Sequence, residues 1–331
     1  MASKIRTASS VRERETQRER IADWALLGGD RRVVAGCLFV GIVGLMGVLV
    51  SVGVVAVGPN SSVATVFGSG LISGVVTLIT ISLSINQLVL SRVFGTVDTL
   101  TDRLDGARAL RHNVEELAGT STGPNDPAEF LSMVARTLSD RAGGLLATSE
   151  SAGWTPSSEF TSALRDLEEY GRSIDSRLET NAQVTDVFSV ILGPEYAVNM
   201  TAVHYLRNEY RESIPEDALT ELRSIDELME AIAVVRQFYK TLAIQQDFAT
   251  LSRLIVYSGV VALVSAISLT LVYRTNSVTL PQSVLPVVVP IGIGAVVSPL
   301  ALFVAYILRA ATVARQTVSV GPFIIPEMSK I

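Results

Sequence analysis

The stretch TLITISLSINQLVLSR, residues 77–92, decides how the chain is read, because it closes a long apolar run and yet is rich in polar side chains. That run, 63–90, is longer than the roughly 20 residues that a helix needs to cross the hydrocarbon core of a bilayer. Similar runs occupy 33–57, 254–273 and 284–308, and none of the four contains a charged residue or a histidine. The sequence therefore predicts an all-α membrane protein with four transmembrane helices in a 2+2 order.

The distribution of arginine around these runs predicts the orientation. Arg31 and Arg32 precede the first run, Arg92 follows the second, Arg253 precedes the third and Arg309 follows the fourth. The two short loops carry a single arginine between them. Because basic residues concentrate on the cytoplasmic side, we expect a multi-pass protein of the cell membrane with both termini in the cytoplasm.

The region between the second and third runs reads as helix throughout, since its apolar residues recur at steps of three and four. Asp126, Pro127 and Glu129 form a helix start signal. Gly95 is the only helix-breaking residue between the second run and the helix that follows it, and none separates the third run from the helix before it. The helical domain is therefore expected to be built on extensions of helices 2 and 3. The predicted plan is a charged cytoplasmic N-terminal arm (1–32), transmembrane helices 1 and 2 (33–92), a cytoplasmic helical domain (93–252), transmembrane helices 3 and 4 (253–309) and a cytoplasmic C-terminal tail (310–331). The arm alternates charge densely and is expected to be a solvated helix or disordered.

Polar residues of the second run follow the period of a helix, at steps of three and four, and therefore share one face. They are Ser69, Ser73, Thr77, Thr80, Ser84, Gln87 and Ser91. Small and hydroxyl residues allow helices to pack closely in lipid, so this face is interpreted either as a packing seam or as the water-facing lining of a pore formed by several copies.

The fourth run contains Pro286, Pro290 and Pro299, which remove backbone hydrogen bonds within the bilayer. The interpretations that stay open are an ordinary kinked helix and, as a functional alternative, a hinge or an ion site formed by exposed carbonyl groups.

Composition excludes several function classes. The net charge of the 331 residues is −5, which does not suggest a nucleic-acid partner, and the single cysteine, Cys37, excludes an internal disulfide. No phosphate-binding loop, nucleophile elbow or metalloprotease motif is present. His204, in AVHYLRNEY, is interpreted as part of an amphipathic helix face rather than as a metal ligand. We therefore predict no enzyme activity, no catalytic residue, no cofactor and no metal.

Three stretches carry a resemblance to a known family: SINQLVLSRVFG (84–95), RQFYKTLAIQQDFATLSRLIVY (236–257) and AYILRAATVARQTVSVGPFI (305–324). They resemble uncharacterised multi-pass membrane proteins of haloarchaea, and the preference for arginine over lysine agrees with such a source. The resemblance implies no activity. The order of spans is also similar to that of bestrophin-type anion channels, in which five copies surround a pore lined by the second span. The polar face departs from the apolar neck of that family, and no sequence motif is shared.

Two functions are consistent with these features. The first is a passive ion pore, formed by a homo-oligomer in the lipid bilayer with the polar face of helix 2 at its axis. The second is a non-catalytic scaffold or sensor, whose helical cytoplasmic domain docks a protein partner.

Overall fold

A computed structural model describes residues 6–11, 17, 21, 24–59, 61–94, 97–151, 154, 156–178, 187, 190, 193, 195–274 and 277–316. Its helices are α1 (Arg31–Ser51), α2 (the consecutive segments Val63–Thr65, Val66–Leu71 and Ile72–Phe94, of which the middle one is π-helical), α3 (Val97–Ala118), α4 (Pro127–Ser151), α5 (Ser158–Arg177), α6 (Glu195–Glu209), α7 (Glu216–Val272) and α8 (Leu285–Gln316). A π-helical turn, Trp24–Gly28, precedes α1. After α7, two strands of two residues each, β1 (Tyr273–Arg274) and β2 (Ser277–Val278), pair in antiparallel orientation. The predicted all-α class is confirmed.

Four of the described helices are long and apolar enough to cross a membrane. They are α1, the part of α2 up to Leu88, α7 and the part of α8 up to Val313. Their order along the chain is the predicted 2+2 order, with the other long helices between the second and the third.

The first span is shorter than the sequence predicts, because α1 ends at Ser51 rather than near residue 57. Gly53 has a φ of +81°, a left-handed conformation that ends helices and that glycine adopts without strain. The N–H groups of Val52 and Gly53 donate to the carbonyls of Val48 and Val50, which satisfies the open end of the helix.

The extension of the third span is confirmed, because α7 runs for 57 residues without interruption. On the second span, α2 ends at Phe94 and α3 begins at Val97, and the predicted weak point Gly95 lies outside the described residues. The predicted start of α4 is also confirmed, since Asp126 Oδ1 accepts hydrogen bonds from the N–H groups of Ala128 (2.8 Å) and Glu129 (3.0 Å).

The chain divides into two compact units. One, called here the helical unit, comprises Met1–Arg20, Thr96–Ala243 and Val313–Ile331; the other, the membrane unit, comprises Ile21–Gly95 and Ile244–Thr312. The helical unit has an apolar core in which α4 and α5 pack together through fully buried residues such as Leu131, Leu138, Leu164 and Leu167. Leu131 and Leu138 lie about two turns apart on α4, and Leu164 and Leu167 about one turn apart on α5, so each pair lies on one face of its helix.

Part of the N-terminal region belongs to this core. The Ala8 N–H donates to Asn199 Oδ1 at 2.8 Å, and Asn199 Nδ2 donates to the Ala8 carbonyl at 2.9 Å. Val11 is only 1% exposed, and its N–H and carbonyl bond to Ser173 and Arg177 of α5. Over residues 7–11 the chain is therefore packed on α5 and α6, unlike the solvated or disordered arm that its composition predicts.

The membrane unit owes its close packing to glycines. A Cβ added at Gly292 of α8 would lie 2.1 Å from Leu269 Cδ1 of α7, and one added at Gly259 would lie 2.7 Å from Ile79 Cδ1 of α2. Small residues at such positions allow helices to approach where lipid provides no hydrophobic drive for association.

Candidate functional site

The polar face of α2 lies on the outside of the described chain. All seven of its predicted members, Ser69, Ser73, Thr77, Thr80, Ser84, Gln87 and Ser91, are exposed. The opposite face of α2 is buried, with Phe67 at 1%, Val75 at 5% and Ser82 at 2% exposure. The other described spans of the same chain therefore cover one side of α2, and the uncovered side carries the polar face together with exposed apolar residues such as Val76 and Leu83. Its role as pore lining or as packing seam stays a prediction, and either role requires a further molecule.

The hydroxyl groups of this face bond to their own helix. Five of them donate to the backbone carbonyl three or four residues earlier, at oxygen–oxygen distances of 2.7–3.0 Å. The pairs are Ser69 to Thr65, Thr77 to Ser73, Thr80 to Val76, Ser84 to Thr80 and Ser91 to Leu88. Such back-bonding satisfies the O–H group without a partner helix. At these five positions the outward groups are therefore oxygen lone pairs, which are hydrogen-bond acceptors, whereas the amide of Gln87 can also donate.

The three prolines of the predicted hinge are not equivalent. Pro286 is the second residue of α8, where an N–H group has no intrahelical acceptor in any case. Pro290 and Pro299 lie inside the helix, and both are buried. Only Pro290 and Pro299 therefore remove a hydrogen bond from the helix, and these two remain the hinge candidates.

A buried group of charges lies at the end of the membrane unit where α1 begins. Arg309 of α8 faces Asp247 of α7, with Nε–Oδ2 and Nη1–Oδ1 distances of 3.3 Å, and the two side chains are 11% and 14% exposed. Arg31 of α1 is 2% exposed, and its Nη1 donates to the Ala25 carbonyl at 2.6 Å. Asp247 and Arg309 thus form a largely enclosed ion pair between α7 and α8, and the buried Arg31 of α1 is near enough for both charges to act on it.

A second polar group lies between α6 and α7 in the helical unit. His204 Nε2 is 3.0 Å from Asp226 Oδ1, and the other oxygen of Asp226 pairs with the Arg207 guanidinium. Glu230 follows Asp226 by one helical turn, and its carboxylate oxygen lies within 4.8 Å of both the His204 and the Asp226 ligand atoms. Sequence reasoning placed His204 on a helix face but did not find this group, because no local signal pairs α6 with α7.

Further along the same helix pair, Arg236 of α7 stacks on Tyr196 of α6, with 4.3 Å from its guanidinium carbon to the ring centroid. Arg236 Nη2 donates to the Gly193 carbonyl at 3.3 Å. Burial lowers the pKa of Arg236, and burial raises the pKa of Tyr196 to about 12. The pair fixes the start of α6 against α7.

These features define a helical protein with four helices long and apolar enough to cross a membrane, further helices between the second and the third of them, and an exposed polar face on the second. The chain belongs to a family of unknown function, DUF7972, whose profile matches residues 1–330. The chain matches no curated protein and no solved structure. The family supports neither a haloarchaeal source nor a bestrophin-like assembly, and both stay predictions.

Proposed function

We propose that the chain forms a homo-oligomeric passive ion pore in the cell membrane, with the polar face of α2 lining the pore and both termini in the cytoplasm. The supporting observation is that all seven residues of this face are exposed while the opposite face of α2 is buried within the chain. Several copies placed around an axis would turn this face toward a shared aqueous path, whereas a single copy presents it to lipid.

The chemistry of the face favours water and cations over anions. No charged residue lies in 63–90, and five hydroxyls already donate to their own helix. The outward oxygen lone pairs resemble the carbonyl and hydroxyl oxygens that replace a cation's hydration shell in pores. A pump needs an ionisable group near the midplane, and α2 has none, so the flux is proposed to be passive.

The test is flux through purified protein in liposomes. The double variant Ser73→Leu, Thr77→Leu replaces two lining residues with apolar side chains. Its control is Ile81→Leu, at an exposed apolar position of the same helix. The mass of each assembly in lipid nanodiscs shows whether the variants still associate.

The proposal predicts monovalent cation flux in the wild type and in Ile81→Leu, and a loss of at least tenfold in the double variant at an unchanged assembly mass. Equal flux in all three proteins would contradict it, as would a monomer or dimer in the nanodisc, because one or two copies cannot surround an aqueous path.

A scaffold or sensor is the second candidate, and it is supported by apolar side chains exposed on the helical unit. Val234 and Phe238, one turn apart on α7, are 51% and 52% exposed. This function predicts no flux and a protein partner that is retained in the membrane by the wild type and by the neighbouring variant Gln237→Asp but lost on Phe238→Asp. Neither candidate function requires a catalytic residue or a cofactor.

A further inference from the structure

The group formed by His204, Asp226 and Glu230 has the composition of a metal site. An imidazole nitrogen and two carboxylate oxygens converge from α6 and α7, and each of the three ligand atoms lies within 4.8 Å of the others. Ligands that share one metal ion at about 2.0–2.2 Å are separated by roughly 3–4.4 Å, depending on the angle at the metal. The observed spacing therefore requires only small side-chain movements.

The buried oxygen of this group has no hydrogen bond. Asp226 is 3% exposed, and its Oδ1 lacks a hydrogen-bond partner among the described residues although His204 Nε2 lies only 3.0 Å away. The distance of 3.0 Å is also the separation expected of two ligand atoms that hold one ion at about 2.1 Å with an angle near 90° at the metal. An ion held by both atoms would give the buried Asp226 Oδ1 the partner that it lacks among the described residues.

The neighbouring residues orient these ligands. Asp226 uses its second oxygen to bind Arg207, which leaves Oδ1 directed at His204. Ligating carboxylates are commonly held in this way by a second hydrogen-bonding group. Glu230, one turn further along α7, is exposed and closes the group on its solvent side, where water would complete the coordination.

We propose that His204, Asp226 and Glu230 bind a divalent transition-metal ion in the helical unit. The nitrogen ligand favours Zn²⁺ and its neighbours in the first row over Mg²⁺ and Ca²⁺, which prefer oxygen ligands alone. The two carboxylates and Arg207 leave one excess negative charge when His204 is neutral, so a dication is attracted. An ion here would link α6 to α7.

The experiment measures binding of Zn²⁺ alone to the full chain in detergent, by calorimetry and by metal analysis after dialysis. The ligand variants are His204→Gln and Glu230→Gln. Each has a matched control elsewhere on an exposed surface, His112→Gln for the histidine and Glu227→Gln for the carboxylate. Glu230 is exposed, so its replacement tests the site without disturbing the core.

The expected result is one Zn²⁺ per chain, with affinity lowered at least about tenfold in both ligand variants and unchanged in both controls. Absence of binding at submillimolar Zn²⁺ would overturn the proposal and leave His204 and Asp226 as an ion pair only. Equal loss of binding in the controls would also overturn it. Competition by Mg²⁺ or Ca²⁺ at concentrations equal to Zn²⁺ would contradict the assigned metal class.

Discussion

Asp247 of α7 and Arg309 of α8 form an ion pair that is almost enclosed within the membrane unit, and the buried Arg31 lies close enough to interact with both. A buried charge that loses its partner is strongly destabilising, because the remaining charge is neither solvated nor neutralised. Asp247 pairs with Arg309 and its charge also acts on Arg31, so this one carboxylate offsets charge from both arginines.

We expect Asp247→Asn to lower the stability of the chain by about 3–5 kcal/mol, because it leaves the largely enclosed Arg309 without its partner and near the buried Arg31. The measurement is the thermal unfolding midpoint in detergent. Asp105→Asn serves as the control, since Asp105 pairs with Arg108 at an exposed position and should change the stability by less than about 1 kcal/mol. Adding Arg309→Gln to Asp247→Asn should restore part of the loss. Equal midpoints for Asp247→Asn and wild type would contradict the assigned role.

The bonds between Ala8 and Asn199 predict a role for the N-terminal segment in stability. Asn199 is fully buried, and Asn199→Ala leaves both backbone groups of Ala8 without partners at a cost of about 1–3 kcal/mol. Limited proteolysis should then cleave the N-terminal segment faster than in wild type. Asn208→Ala, exposed on the same helix, is the control. Identical cleavage rates in the three proteins would show that the segment is held by other contacts.

The tight contact at Gly292 predicts that side chains are excluded there. Gly292→Leu would force Leu269 and α8 apart and is expected to cost about 1–3 kcal/mol, seen as a lower unfolding midpoint. At Gly44 of α1, an added Cβ meets no atom within 4 Å, so Gly44→Leu should leave the midpoint close to that of the wild type. A larger loss at Gly44 than at Gly292 would disprove this account of the packing.

Alkaline pH should weaken the helical unit through Tyr196. Burial raises its pKa to about 12 from 10.0, so the folded chain holds this proton more tightly than the unfolded chain does. The corresponding stability is complete below pH 10 and is lost as the pH rises from 10 towards 12. Tyr196→Phe should reduce this loss in denaturation series across that range, although the buried Tyr170, whose pKa is raised in the same direction, continues to contribute.

The same variant has a clear expectation at neutral pH. The Tyr196 hydroxyl is buried without a hydrogen-bond partner among the described residues, so removing it should leave the stability equal or slightly higher. A marked loss of stability at pH 7 would indicate that the hydroxyl has a partner in the folded protein.

Features encoded locally were predictable from the sequence. Four apolar runs gave four spans, the period of the polar residues placed Ser69 to Ser91 on one face, and Asp126 marked the start of α4. The end of α1 was missed, because a run of valines continues past Gly53 and hides the backbone conformation that stops the helix.

Features that depend on pairing distant helices were not predictable. Nothing near Asp247 in the sequence indicates that Arg309 lies beside it, and nothing near His204 indicates Asp226 and Glu230. Likewise, the spacing of the polar residues places them on one face of α2, but it does not indicate whether α1, α7 or another molecule packs against that face. These relationships arise from tertiary packing, which a single sequence does not encode in its local periodicity.

The back-bonded hydroxyls of α2 also bear on how the protein is made. A nascent span that carried unsatisfied O–H groups would need another helix beside it at the moment of insertion. Because Thr77, Thr80 and Ser84 already donate to carbonyls of their own helix, this span can leave the translocation machinery and rest in lipid alone. Biogenesis can therefore proceed in two stages, with each chain inserted as an independent unit before any encounter between copies.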